Sequence, residues 1–590
     1  MSLDKSIELI SEKKFSEAKD ILEKLTIVEP ENFEAFKNLG LCYVNLEEFE
    51  PALKAFLRSI DIKNDDATSY FYIATIYDKL EDFQNAEKYY KKVLAIRPEH
   101  ADSYKNLALL SFRNNDFDSA IGILNKAIEV CEPDFELYYM LSSCFMTKND
   151  IDSAIECLNR ARELEPTSPQ IINSIGSCYL KLKDKAKALE YFEQAFEIDP
   201  YDPIANFNIG LIYDSDGDHI RAFNYFEEAY KKLPIENILA SYANCAYLCK
   251  KIPLASQLYS TLVAIRPDVL KYQRNLMLTL EMLHDYKNAL IIAERLFEHS
   301  PKDDVLLRKI ATYNRCVGEY DRAIKVFELL MKKGKFDSDT FWELGVCYIR
   351  LDEKDNALNA FKNAIKLSPD NAIAHKDLAL LYLRLNLLDW AEDEISEALK
   401  IAPDNFEINF GAGVLYYTIG KYDSADKHFA HVADCAEVDA LFNASYAQNL
   451  LYLGQVEPAV LLFKKALSAD PKCEIALYEL AKHYFNEKKY SPAANLVQEL
   501  LMINPDAEYE YLQAKIDIAS KKYKKAIMAL LKLTELYPQN HLILLDLATS
   551  YYKTDDFENA KKYIKASLSI YPDFEDGLKL LKKLENNNGK

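Results

Sequence analysis

Apolar side chains follow a helical spacing along most of this chain of 590 residues. They recur at i, i+3, i+4 and i+7, which places them on one face of a helix, in short segments separated by polar turns. The turns are rich in Gly, Asp, Asn and Lys, as in Asn114–Asp116 and Asp216–Asp218. The pattern therefore predicts many short amphipathic helices, arranged in pairs.

One alanine shows that these pairs repeat. Of the 16 intervals that separate its 17 occurrences, 14 are 34 residues long and two are 33. A fixed period in this range is the signature of a repeat architecture, so the chain is read as about 17 copies of one unit. The alanines are Ala18, Ala52, Ala86, Ala120, Ala154, Ala188, Ala222, Ala255, Ala289, Ala323, Ala357, Ala391, Ala425, Ala459, Ala493, Ala526 and Ala560.

Each unit carries further positions in the same register. Twelve residues before the alanine stands Gly, Ala or Ser in 16 of 17 units, and Met277 is the exception. Four residues after the alanine stands a large apolar residue, as at Phe56 and Phe361, and most units close on proline, as at Pro98. Small residues let two helices approach closely, the large residue fills the space between them, and the proline separates one unit from the next.

These residues resemble the tetratricopeptide repeat (TPR) family. The resemblance implies an all-α fold, an α-solenoid in which about 17 helix-turn-helix units form a right-handed superhelix lined inside by the first helix of each unit. It predicts a continuous solenoid over 1–574 and, over 575–590, a C-terminal solvating helix with a polar tail. The apolar positions from Leu578 to Leu584 mark that helix.

Composition narrows the possible partners. The chain has 72 Lys and Arg against 93 Asp and Glu, a net charge of −21, which argues against a nucleic-acid partner. No apolar run is long enough to cross a bilayer, so no membrane insertion is expected. The N-terminus has no secretory pattern, and 11 cysteines without a CxxC pair suggest a reducing compartment. We therefore expect a cytoplasmic protein.

The sequence contains none of the phosphate-binding, metalloprotease or nucleophile-elbow motifs. We predict no enzyme activity, no cofactor and no metal. His428, His431 and Cys435 share a helical stripe that could hold zinc, but no fourth ligand is evident and the stripe is equally consistent with a solvent-facing surface. The loop Asp214–Asp218 resembles a calcium loop only superficially, and Cys245 occupies a packing position that is cysteine in five units.

Family geometry places the second, fifth, sixth, ninth and twelfth residues of each first helix on the inner surface, where partners would bind. Residues 237–337 hold 16 Lys and Arg against 11 Asp and Glu, which favours an acidic partner segment there. Aromatic residues offer contact area, and asparagines can bond the backbone of an extended peptide. The predicted groove residues are Asn38, Phe71, Tyr72, Lys105, Asn106, Tyr139, Asn208, Asn244, Lys271, Arg274, Asn275, Arg308, Lys309 and Arg315.

Together these features predict a non-enzymatic protein–protein interaction scaffold that binds extended peptide segments in its concave groove. Two alternatives stay open. The chain could be the recognition subunit of a separately encoded protein-modifying enzyme, such as a transferase. It could also be a cytoplasmic-side component of an envelope or secretion assembly.

Overall fold

A computed structural model describes residues 3–132, 134–435 and 439–587 of the chain. These residues form 35 α-helices and no strand. In the first half of the chain the helices are α1 (Leu3–Ser11), α2 (Phe15–Val28), α3 (Phe33–Asn45), α4 (Phe49–Ile62), α5 (Ala67–Lys79), α6 (Phe83–Ile96), α7 (Ala101–Arg113), α8 (Phe117–Val130), α9 (Phe135–Thr147), α10 (Ile151–Leu164), α11 (Pro169–Lys181), α12 (Lys185–Ile198), α13 (Pro203–Ser215), α14 (His219–Lys232), α15 (Glu236–Leu248), α16 (Ile252–Ile265), α17 (Leu270–Met282) and α18 (Tyr286–His299). The second half contains α19 (Asp304–Cys316), α20 (Tyr320–Lys332), α21 (Ser338–Arg350), α22 (Lys354–Leu367), α23 (Ala372–Arg384), α24 (Leu388–Ile401), α25 (Phe406–Thr418), α26 (Tyr422–Val432), α27 (Ala440–Tyr452), α28 (Val456–Ala469), α29 (Glu474–Asn486), α30 (Tyr490–Ile503), α31 (Ala507–Ala519), α32 (Tyr523–Leu536), α33 (His541–Lys553), α34 (Phe557–Ile570) and α35 (Glu575–Asn587).

Odd-numbered helices up to α33 are the first helices of the predicted units, and even-numbered helices are the second helices. At each turn from a first to a second helix, one residue has a positive φ between 57° and 89°. In the α3–α4 turn this residue is Glu47, and the next N–H, of Glu48, donates to the carbonyl of Tyr43 at 2.9 Å. The left-handed residue thus satisfies the open carbonyl groups at the end of the first helix.

The recurring alanine forms the core between helices. All 17 copies have no exposed surface, which confirms the predicted packing role. The five cysteines in shared register, including Cys178 and Cys347, are also buried, with at most 2% of their surface exposed. The predicted fold class, an all-α solenoid of helix-turn-helix units, is confirmed by this arrangement.

The chain divides into two compact units, with the boundary between Leu296 and Phe297. Within each unit, a helix packs mainly on its neighbours in sequence. At the end of the second unit, α35 buries Leu580 and Leu584 in a cluster with Ala560 and Ile564 of α34. The helix thus covers an apolar face of α34. Most of the predicted polar tail, 588–590, lies outside the described residues.

Candidate functional site

The candidate surface is built from the first helices, which begin in a shared way. Asp or Asn precedes most of them, and its side chain accepts a backbone N–H from the first turn, as Asp134 does from Leu137 and Asp337 from Thr340. These caps fix where each helix begins. We call the surface formed by the second, fifth, sixth, ninth and twelfth residues of the first helices the first-helix face.

The predicted aromatic residues of the first unit pack against other rings. The Phe71 ring centroid lies 5.0 Å from that of His100 and 5.9 Å from that of Tyr90, which belongs to the buried core. Tyr72 stacks on the buried ring of Phe56 at 5.3 Å. Both predicted residues are half-buried, so each exposes only part of its ring to solvent.

Two predicted cations are paired with carboxylates of the following repeat. Lys105 Nζ lies 2.5 Å from Asp134 Oδ2 and 2.5 Å from Glu136 Oε2. Arg308 binds both carboxylate oxygens of Asp337, and this guanidinium holds the pKa of Asp337 below its usual range. Both pairs join residue i to the helix cap at i+29. The fifth position therefore links neighbouring repeats, and a ligand there has to compete with a carboxylate already in place.

Arg315 is also paired with a carboxylate of the following repeat. Its Nε donates to Glu343 Oε2 at 2.9 Å, and the Thr312 hydroxyl donates to Oε1 of the same carboxylate at 3.0 Å. Glu343 is buried and needs both donors, because an unpaired buried carboxylate is costly. Lys309 Nζ lies 5.8 Å from the centroid of the Tyr313 ring.

The remaining predicted residues differ in exposure. Asn38 is buried and donates to the Glu34 carbonyl of its own helix at 2.9 Å, so it is a packing residue here rather than an open contact. Exposed Asn244 accepts from the Tyr259 hydroxyl at 3.3 Å, and half-buried Tyr139 accepts from Ser174 at 3.5 Å. The others are half-buried in the case of Asn106, Asn208 and Asn275, and exposed in the case of Lys271 and Arg274.

The structure shows a pocket in the second unit that the sequence reasoning missed. A cavity of about 470 Å³ lies between α21 and α23, with Trp342 at its side and Leu380 among its apolar lining. The Trp342 indole N–H donates to Asp377 Oδ2 at 2.7 Å, which fixes the ring. Trp342 occupies the same fifth position as Phe71 and Lys105, so the periodic register contained the signal.

Two arginines line the same cavity. Arg350 and Arg384 stand at the last position of α21 and α23, and both are exposed. Among the described residues, neither guanidinium has a carboxylate partner within 4 Å. The pocket thus combines a fixed aromatic wall with two available positive charges, in contrast to the paired Arg308 and Arg315.

The histidines of the possible zinc stripe have other partners. His428 Nδ1 lies 3.0 Å from Asn409 Oδ1, and its ring stacks on Tyr416. His431 Nε2 lies 2.9 Å from Asp404 Oδ1. The side chain of Cys435 lies outside the described residues. His428 is half-buried, so the solvent-facing interpretation does not hold for it.

Tandem helical hairpins with a shared small-residue core and an open first-helix face define a class of repeat proteins that serve as protein-interaction scaffolds. Five tetratricopeptide repeat models match the chain, and together they cover well over half of it; the chain belongs to this family. The matched residues are 3–67, 65–133, 135–168, 169–202, 204–231, 348–406, 450–516 and 543–574.

Several solved structures are similar to the chain. YrrB, described as a TPR protein with an unusual peptide-binding site, is 22% identical, covers 32% of this chain and 96% of its own, and has a TM-score of 0.27. MamA is 28% identical over 27% of this chain and 94% of its own, with a TM-score of 0.25. The Cut9–Hcn1 structure of the APC/C is 14% identical over 96% and 98%, with a TM-score of 0.33. A comparison with curated proteins gave no match.

Within the described ranges, no helix is both long enough and apolar enough to span a bilayer.

Proposed function

We propose that this protein–protein interaction scaffold binds an extended segment of a partner protein across α21 and α23, at the Trp342 pocket. The observation that carries the proposal is the pairing of a fixed indole with two exposed arginines, Arg350 and Arg384, which have no carboxylate partner among the described residues. The proposed role is binding without catalysis, as the sequence predicts.

The pocket favours a particular kind of segment. An aromatic or aliphatic side chain would pack on Trp342 and Leu380, where large rigid contact area is available. An Asp or Glu a few residues away would pair with Arg350 or Arg384, since guanidinium binds carboxylate with two parallel hydrogen bonds. We therefore infer an acidic segment with one large apolar residue as the ligand.

For the first unit taken by itself, we propose a separate contact surface made of the predicted groove residues. Asn106, Asn208 and Asn275 stand at the sixth position of their helices, where an amide can bond the backbone of an extended chain. Lys271 and Arg274 lie exposed on α17 and would contact acidic side chains.

Selection from a random peptide library tests the proposal, because it needs no known partner. We expect enriched peptides that combine acidic residues with an aromatic or large aliphatic residue. Trp342→Ala should weaken their affinity about thirtyfold, the size of an interface hot spot of about 2 kcal/mol. The double variant Arg350→Glu and Arg384→Glu should weaken it about tenfold or more, and the effect should shrink in high salt.

Matched controls come from the same unit. Trp390→Ala removes the other tryptophan, which is 58% exposed on α24 and outside the pocket. Arg322→Glu reverses an exposed charge on α20. Both variants should bind like the parent protein. Equal binding by the parent and the Trp342 variant would place the ligand elsewhere and reject the proposed site.

A further inference from the structure

Three potential metal ligands converge where the turn between α13 and α14 meets α15, in the first unit, and a fourth lies one helical turn away. Asp214 lies near the end of α13, His219 is the first residue of α14, and Cys245 lies in α15. His219 Nδ1 is 2.8 Å from Asp214 Oδ1. Ligand atoms of all three residues lie within 4.8 Å of one another.

A second thiol joins this cluster. Cys249 follows α15 directly, one helical turn after Cys245, so the two thiols lie on the same side of the helix end. The sulfur of Cys245 is 3.0 Å and that of Cys249 is 3.2 Å from one acceptor, the carbonyl oxygen of His219. The two thiols therefore meet at the backbone of His219 rather than pointing into separate parts of the core.

The burial of the cluster suits an ion that enters from solvent. Cys245 has 1% of its surface exposed, whereas the side chains of Asp214 and His219 are 29% and 34% exposed. The Cys245 sulfur is thus closed off from solvent, whereas the Asp214 carboxylate and the His219 imidazole are accessible to solvent.

We propose that Asp214, His219, Cys245 and Cys249 bind one Zn²⁺ ion. Thiolate, imidazole and carboxylate are the ligands that zinc takes in proteins, and four of them complete a structural tetrahedral site. Zinc bond lengths place neighbouring ligand atoms roughly 3.3 to 3.8 Å apart, so small side-chain rotations of Asp214, His219 and Cys245 close these three around an ion. Cys249 completes the site by turning its sulfur from the His219 carbonyl oxygen toward them. Such an ion would join the α13–α14 turn to α15 and brace two successive repeats.

A cysteine at the equivalent position of another repeat distinguishes a metal site from simple packing. Cys178 occupies the position in α11 that Cys245 occupies in α15, and it is fully buried. Of these two cysteines, only Cys245 has a histidine, a carboxylate and a second thiol grouped around it among the described residues. Cys178→Ala is therefore the matched control, since it removes a buried thiol from the same helical position without touching the cluster.

Cobalt(II) reports the site directly. The full chain, reduced and stripped of metal, is titrated with Co²⁺, which should give a thiolate-to-cobalt charge-transfer band and the visible bands of a tetrahedral complex at one ion per chain. Zn²⁺ should then displace the cobalt and abolish both. The variants that should each lose the bands or weaken binding about tenfold or more are Cys249→Ser, His219→Gln and Asp214→Asn. Cys178→Ala should behave like the parent.

Three results would overturn the proposal. The first is the absence of a charge-transfer band in the parent chain. The second is a band that survives in both Cys249→Ser and His219→Gln, which would assign the metal to other thiols. The third is a loss of Zn²⁺ binding by Cys178→Ala as large as that by Cys249→Ser. Because Cys249 and His219 are partly exposed, these variants keep the buried core intact, and cobalt binding can be compared in folded protein.

Discussion

Five first helices carry glycine at the small position, and in each the ring of a phenylalanine in the following second helix fills the space. A Cβ built on Gly345 would lie 2.5 Å from the Phe361 ring, and one on Gly176 would lie 2.6 Å from Phe192. The one unit that has a large residue at the small position has a small residue at the usual large position. Met277 takes the small position in α17, and the register puts Ala293 where other units have the large residue.

Gly345→Ala should therefore destabilise the second unit. The Phe361 ring is 1% exposed and a Cβ on residue 345 would lie 2.5 Å from it, so the added methyl group overpacks the contact and costs about 1–3 kcal/mol. Gly122→Ala is the control, because a Cβ there meets nothing within 4 Å and alanine favours the helix by about 0.5–1 kcal/mol. Thermal unfolding should show opposite shifts for the two variants. Equal shifts would mean that the glycine–phenylalanine contact is not tight.

His375 should make stability depend on pH. The ring is buried, and its hydrogen bond to Glu394, at 2.6 Å, raises the pKa of His375 despite the opposing effect of burial. Folding thus favours the protonated ring. The resulting stability is complete below about pH 6.5, the ordinary histidine value, and is lost as pH rises through the higher folded pKa.

The measurement is the unfolding midpoint at several pH values on both sides of that range. The parent should lose more stability with rising pH than His375→Gln, which cannot titrate. Because both proteins share the other eight histidines, the difference isolates this residue. An identical pH dependence in the two proteins would contradict the prediction.

At the scale of the element, the start of α21 is set by its cap and by a link from the preceding repeat. Asp337 accepts the Thr340 N–H at 2.9 Å and also binds Arg308 of α19. The cap contributes about 0.5–2 kcal/mol. The ion pair is partly exposed and contributes about 0.2–1 kcal/mol. One carboxylate therefore fixes the start of α21 and its contact with α19.

Two substitutions separate these contributions. Asp337→Asn keeps the capping oxygen and loses the charge, so it should cost little. Asp337→Ala loses both and should lower the free energy of unfolding by about 1–2 kcal/mol more than the asparagine variant. Chemical denaturation in low and high salt measures both. If Asp337→Asn destabilises as strongly as Asp337→Ala, the charge rather than the cap is the dominant contribution.

The elements were predictable because the helical spacing and the 34-residue period act locally, in every unit alike. The ion pairs of the predicted cations were not foreseen, because each pair depends on a residue in the next repeat. Lys105 with Asp134, Asn173 with Asp202, and Arg308 with Asp337 are all pairs from i to i+29. This spacing is visible in the sequence once the fifth position and the following cap are compared. The direction in which a side chain points, as for Trp342, was visible only in the structure.

At the scale of the whole molecule, each of the two units consists of repeats that contact mainly their neighbours. Contacts connect a helix to the next helix or the one after it. Stability in such an array is close to a sum of terms for single repeats and for neighbouring pairs. A local defect should therefore loosen a few helices instead of unfolding everything at once.

Phe192→Ala tests this locality within the first unit. Phe192 is fully buried in α12 and packs with Ile209 and Ile212 of α13, so its removal should cost about 3–5 kcal/mol. Amide hydrogen exchange should accelerate in α11–α14, which contain the mutated repeat and its neighbour, and stay unchanged in α3–α6. Tyr201→Ala, at a 63% exposed side chain, should change neither segment. Equal acceleration of hydrogen exchange in α3–α6 and α11–α14 would show that the unit unfolds as one cooperative block. Nearest-neighbour coupling would then be the wrong description of its stability.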